Sequence, residues 1–149
     1  LYKIINKLLP LDTIYPSIEN AKKAGMLVHT FWIVGYPGET FEEIQKTIDF
    51  AMNSGADSFS FAILSPLPGT PIYRKVISKD LWWDGRSLED MLFRSSLVKV
   101  DGFNGPDEFE KFVNDANIKA NLLLKENDPK RFEYKYGKQS TEAALVKQT

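Results

Sequence analysis

The chain has 149 residues, 43% of them hydrophobic and 26% charged, which suits one soluble globular domain with a real core. Its 19 basic and 20 acidic side chains leave a net charge of -1, too little for the positive field that holds nucleic acid or an anionic membrane. Cysteine is absent, which excludes disulfides, thiolate metal sites and an iron–sulfur cluster ligated from within this chain.

The sequence opens on Leu1 inside an amphipathic pattern (Leu1, Ile4, Ile5, Leu8, Leu9), as expected of a piece of a longer protein. No leader or lipidation signal is read there, and a cytoplasmic protein is the expectation. Asp12 or Thr13 is placed to cap a helix with Ile14, Ile18, Ala21 and Ala24 at helical spacing, ended by Gly25. Met26–Val34 follows, apolar at both parities, as in a parallel strand covered on both faces. The apolar run Met26–Tyr36 is far shorter than the roughly 18 residues a membrane span needs.

Thr40 and Glu43 form a capping box, and Phe41, Ile44, Ile48, Ala51 and Met52 make one helical stripe up to Gly55. Ser58–Leu64 reads as a second buried strand closed by Pro66 and Pro68. Thr70 with Pro71 starts a short helix to about Ser78. Beyond it the alternation stops. Trp82–Gly85 is a turn, Ser87 and Asp90 begin a helix to about Ser96, and Leu97–Val100 is a short strand. A long helix runs from Pro106 to about Lys125, with Phe109, Phe112, Val113, Ala116, Ala120 and Leu123 on one face. Phe132–Tyr136 is an edge strand or a loop, and the polar stretch 138–149 is expected to fray. These elements divide into residues 1–80, with the βα pattern, a mainly helical extension over 81–137, and the tail.

Two strand-to-helix turns carry the functional signal. In a parallel sheet ligands bind at the carboxyl ends of strands, where loops and helix starts present backbone N–H groups. The first turn is Gly35-Tyr-Pro-Gly38-Glu39-Thr40, whose glycines let a ligand approach the backbone; taken alone, a tight turn with Glu39 at a helix start explains it slightly better. It is not a phosphate loop, because Glu39 stands where the lysine is needed. The second, Leu64-Ser-Pro-Leu-Pro-Gly-Thr70, is alone a rigid lead into a helix cap. Two such loops on consecutive parallel strands build a lip for one ligand.

The stretch Ile18–Tyr73, with both loops in order, resembles the last two βα units of the partial (β/α)6 barrel of the radical S-adenosylmethionine (radical SAM) superfamily. It is most similar to the subgroup that often carries a cobalamin-binding domain and includes the anaerobic magnesium-protoporphyrin IX monomethyl ester oxidative cyclases. The resemblance implies an α/β partial TIM-like barrel with a mainly helical extension. The parent would hold S-adenosylmethionine (SAM) and a [4Fe–4S] cluster, with cobalamin a further candidate. It would cleave SAM reductively to start radical chemistry on a small molecule, with cyclisation and methylation both open. In the family's Gly-x-Ile-x-Gly-x-x-Glu motif, which packs on the adenine, Ile33 and Gly35 match, Phe31 replaces the first glycine, and Glu39 comes one residue late. The implied cofactor wall is Ile33, Gly35, Tyr36, Pro37 and Gly38 with Leu64, Ser65 and Pro66. No catalytic residue and no metal ligand is assigned in this chain, and the chain by itself is expected to be inactive. The rival reading is a non-catalytic α/β interaction module.

His29, inside an apolar strand, reads as a structural residue rather than a base. Trp82 and Trp83 read as core closure, and Asp107–Lys111 as a solvated face. The expected partner is the missing N-terminal part of the polypeptide. Separated from it, the chain is expected to pair as a dimer through the Met26–Val34 edge or the Leu1–Leu9 stripe.

Overall fold

The structure, a computed structural model, describes residues 10–92 and 94–137; the Leu1–Leu9 stripe and the tail from Lys138 lie outside the described residues. A 3-10 turn, Leu11–Thr13, leads into α1 (Ile14–Lys23). Neither Asp12 nor Thr13 caps this helix, contrary to expectation. The Thr13 hydroxyl instead donates back to the Pro10 carbonyl at 2.6 Å, holding Thr13 in helical geometry. Gly25, at φ +78, turns the chain out of the helix.

The first strand, β1 (His29–Val34), is shorter than expected. Met26 and Leu27 are 60% and 67% exposed, and pairing begins only where the Asp57 carboxylate accepts from the Val28 N–H. Helix α2 (Phe41–Met52) carries the expected capping box, with the Thr40 hydroxyl accepting from Glu43 N–H and the Glu43 carboxylate from Thr40 N–H. The second strand, β2 (Ser58–Ile63), pairs with β1 in parallel, from His29 opposite Ser58 to Val34 opposite Ile63. Thr70 then caps α3 (Pro71–Ser78).

Two strands do not make a barrel; the described residues form an α/β fold around a two-stranded parallel sheet. Among the described residues β1 is covered on one face only. Val34 faces a core with Phe59, Phe61 and Ile63 of β2, Ile44 and Ile48 of α2, and Phe109 and Val113 from the extension. On the opposite face Phe31 and Ile33 are 80% and 48% exposed, and the register sets only Ser60 and Ala62 beside them.

The extension differs most from expectation. Ser87 and Asp90 do form a capping box, but it opens a single 3-10 turn, Leu88–Asp90, not a helix to Ser96. Met91 is extended, Arg94 has φ +77, and the Ser96 N–H is taken by Glu110 at 2.7 Å, so no helical ladder can continue. Leu97–Val100 is not a strand of the sheet. It makes one antiparallel bridge, Trp82 to Val98, and places buried Leu97, Val98 and Val100 in the core. Trp83 packs on the main core and donates its ring N–H to Ser96, as core closure requires. The long helix is α4 (Pro106–Asn127), and Asp128 then caps α5 (Pro129–Tyr136). The Phe132–Tyr136 segment is thus helix rather than strand or loop: Pro129 suits a first helical position, and Phe132 packs against Leu124.

Helix α4 lies against β2 and ends the sheet. The buried Asn117 side chain accepts from the Phe61 N–H and donates to the Phe61 carbonyl, both at 2.9 Å, and donates also to Val113 O. An amide side chain thus occupies the place of a neighbouring strand's backbone. Asn117→Ala leaves a buried N–H and a buried carbonyl unpaired, so a loss of about 2–4 kcal/mol in chemical denaturation is expected, without a change in the position of α2.

Candidate ligand-binding lip

Both loops leave the carboxyl ends of their strands on the same side of the sheet. The ladder extends one step into them, with Leu64 N–H donating to Val34 O at 2.9 Å. In the first loop Tyr36-Pro-Gly-Glu39 is a turn closed by Glu39 N–H to Tyr36 O, with Gly38 at φ +89. Pro in second place with glycine at positive φ in third is the type II pattern.

Glu39 does more than sit at a helix start. It is 4% exposed, and one carboxylate oxygen accepts from Gly35 N–H at 2.8 Å and Tyr36 N–H at 3.0 Å. These are two of the backbone donors that the loop had been expected to offer a ligand. Burial raises the Glu39 pKa above the usual carboxylate range, although the Tyr36 and Gly35 N–H groups favour its charged form. Burial, followed by the nearby Glu39 charge, also raises the Tyr36 phenol.

The two glycines have opposite surroundings. A Cβ on Gly35 would stand 2.8 Å from the Phe109 ring, so the close approach made there is by α4 rather than by a ligand. A Cβ on Gly38 would meet nothing within 4 Å, and its N–H is bonded to nothing among the described residues. Of the other expected wall residues, Tyr36, Pro37, Leu64 and Pro66 are buried, Ser65 is half-buried, and Ile33 is exposed at the end of β1. Lys75 of α3 was not anticipated. Its ammonium donates to the Pro37 carbonyl at 3.1 Å and ties the helix after the second loop to the first loop. A groove of about 510 Å³ lies beside the end of β2, lined by Ile63, Arg94, Ser95, Glu110 and Asn114. Glu110, expected on a solvated face, binds the Ser96 N–H and pairs with Arg86.

His29 is at the other end of β1, away from the lip. Its two ring nitrogens lie 2.7 Å and 3.1 Å from the hydroxyls of Ser58 and Ser60, the cross-strand role expected of a structural histidine. Burial lowers its pKa, and the Lys135 and Arg131 charges of α5 lower it further. Among the described residues no group of acidic, histidine or cysteine side chains could hold a metal ion. No described helix is long and apolar enough to cross a membrane.

No protein-family model matches the chain, and no solved structure matches it significantly. Curated proteins do. The chain is 32% identical over 129 residues to the cytidylyl-2-hydroxyethylphosphonate methyltransferase of Streptomyces wedmorensis, a match over 80% of this chain and 24% of that protein. An uncharacterized methyltransferase of Pyrococcus horikoshii is 37% identical over 65 residues, 44% of this chain and 14% of that protein. The tRNA-2-methylthio-N(6)-dimethylallyladenosine synthase of Legionella pneumophila is 58% identical over 40 residues, 26% of this chain and 9% of the synthase. The chain thus spans about a quarter or less of the curated relatives it matches. These matches support the radical SAM superfamily; the oxidative cyclases and cobalamin gain no support from the names.

Two outcomes follow from the geometry. Glu39→Ala orphans two buried N–H groups and should lose about 2–4 kcal/mol in urea denaturation, whereas Glu39→Gln, which keeps an oxygen acceptor, should lose less. For His29 the folded-state pKa lies below the unfolded one, so the unfolded chain takes up the proton first. Its stabilisation is complete above the ordinary value of about 6.5 and is lost as pH falls below that. Urea midpoints measured between about pH 8 and pH 5 should therefore fall on acidification, with a shallower slope in His29→Asn.

Proposed function

We propose that this chain is the adenine-side wall and the C-terminal extension of a radical SAM enzyme whose reaction is the transfer of a methyl or methylthio group. The observation that carries this reading is the extent of the methyltransferase match. A match over 80% of the chain takes in both loops, and the fold brings those loops to one end of adjacent parallel strands. Names of this kind favour group transfer over the cyclisation that the sequence also left open, and cobalamin has no part in the reading.

The residues present fit SAM in part. Ile33 offers an exposed apolar side chain at the end of β1, and Gly38 in the loop that follows is exposed, with an N–H bonded to no described residue. Gly35 does not fit as a contact, since Phe109 fills its open side and Glu39 takes its N–H. Buried Leu64 and Pro66 act by shaping the second loop, while half-buried Ser65 keeps a polar group at the lip. The [4Fe–4S] cluster, which supplies the electron for reductive cleavage of SAM, needs thiolates that a chain without cysteine cannot give. They would come from another part of the polypeptide. The outer edge of β1 would there take the preceding strand, and in the separate chain it is open to a second copy.

Anaerobic reconstitution of the whole enzyme with iron, sulfide and a strong reductant should give SAM-dependent 5′-deoxyadenosine, while the 149-residue chain alone binds no iron and forms none. An enzyme that holds a cluster yet neither binds nor cleaves SAM would sink this reading. Product from the separate chain would refute the claim that it is inactive alone.

A further inference from the structure

We infer that Lys75 is a positioning residue that fixes the orientation of the Pro37–Gly38 peptide, and so aims the Gly38 N–H at a hydrogen-bond acceptor of the ligand seated on the lip. The inference rests on the proposed reading of the lip as a SAM site and adds to it a residue that lies outside the two loops.

The argument starts from the turn. Types I and II differ chiefly in which way the middle peptide points, and here that peptide joins Pro37 to Gly38. All described peptide bonds are trans, so the Pro37 carbonyl and the Gly38 N–H point in opposite directions from one plane. The carbonyl is held by the Lys75 ammonium at 3.1 Å. The N–H is thereby turned away from α3, and it is bonded to no described residue. Every other donor of the turn is already engaged: Gly35 and Tyr36 N–H by Glu39, Glu39 N–H by Tyr36 O, and Pro37 has none. Gly38 thus has the one backbone donor left in this turn, and Lys75 sets its direction.

Charge strengthens the effect. Lys75 is half-buried and has no carboxylate partner among the described residues, so its charge acts on the Pro37 carbonyl. A carbonyl that accepts from an ammonium polarises its own amide and makes the N–H on the far side a better donor.

The chain contains two Pro–Gly pairs, Pro37–Gly38 and Pro68–Gly69. Labelling proline carbonyls with 13C and glycine amides with 15N in the whole enzyme selects such pairs, and loss of a signal in Gly38→Ala assigns Gly38. In Lys75→Met and Lys75→Gln the Gly38 signal should move and the Gly69 signal should stay, which also reports an intact fold. SAM affinity of the cluster-loaded enzyme should weaken about tenfold in both variants and recover in Lys75→Arg, which keeps a charged donor. An unmoved Gly38 signal, or a moved one with unchanged SAM affinity, overturns the inference. Failure of the wild-type enzyme to bind SAM overturns the reading of the lip instead, and the Gly38 signal still decides whether Lys75 holds the peptide.

Discussion

The amide of Asn117 is the contact on which the arrangement depends. A two-stranded sheet is at best marginal in water, and its outer backbone groups need partners. On β2 the exposed side of the ladder at Phe61 is satisfied by one side chain from a helix more than fifty residues away. That pairing fixes the rotation and height of α4 against the strand. It is consistent with those constraints that Phe109, two turns earlier on the same helix, meets Gly35 so closely that no Cβ fits between them. The extension is therefore part of the framework behind the first loop, and the core runs from Val34 to Ala120 without a seam.

The first loop is built from opposed halves. Its inner half is consumed by protein: Gly35 by the Phe109 ring, and the Gly35 and Tyr36 donors by a buried carboxylate whose charge is itself disfavoured by burial. Its outer half, at Gly38, is left open. A loop held from within and open outside is the arrangement that a binding rim would need, since its ordering entropy is met before any ligand arrives.

Local rules made much of this legible. The Thr40–Glu43 capping box, the Thr70 cap before Pro71, the glycine stop at Gly25 and the stripe of α4 all depend on neighbours within one or two helical turns. What the sequence hid was long-range. Asn117 sits among apolar residues at helical spacing, and nothing nearby in sequence marks it as the partner of Phe61. Glu39 at a helix start has a sufficient local explanation, which concealed its use by Gly35 and Tyr36. The helix expected after Ser87 stops at Asp90, where Met91 turns extended, and Glu110, expected on a solvated face, takes the Ser96 N–H further on. The apolar double parity of β1 read as two-sided cover, but one of its faces meets only small residues here.

Among the described residues Asn117 closes the ladder at β2 while the outer edge of β1 pairs with no strand, so the sheet has a direction of growth. Additional strands can be laid down beside β1, and none beside β2, without first displacing α4. A sheet continued beyond this unit would therefore grow from the β1 edge and stay closed off where α4 covers β2.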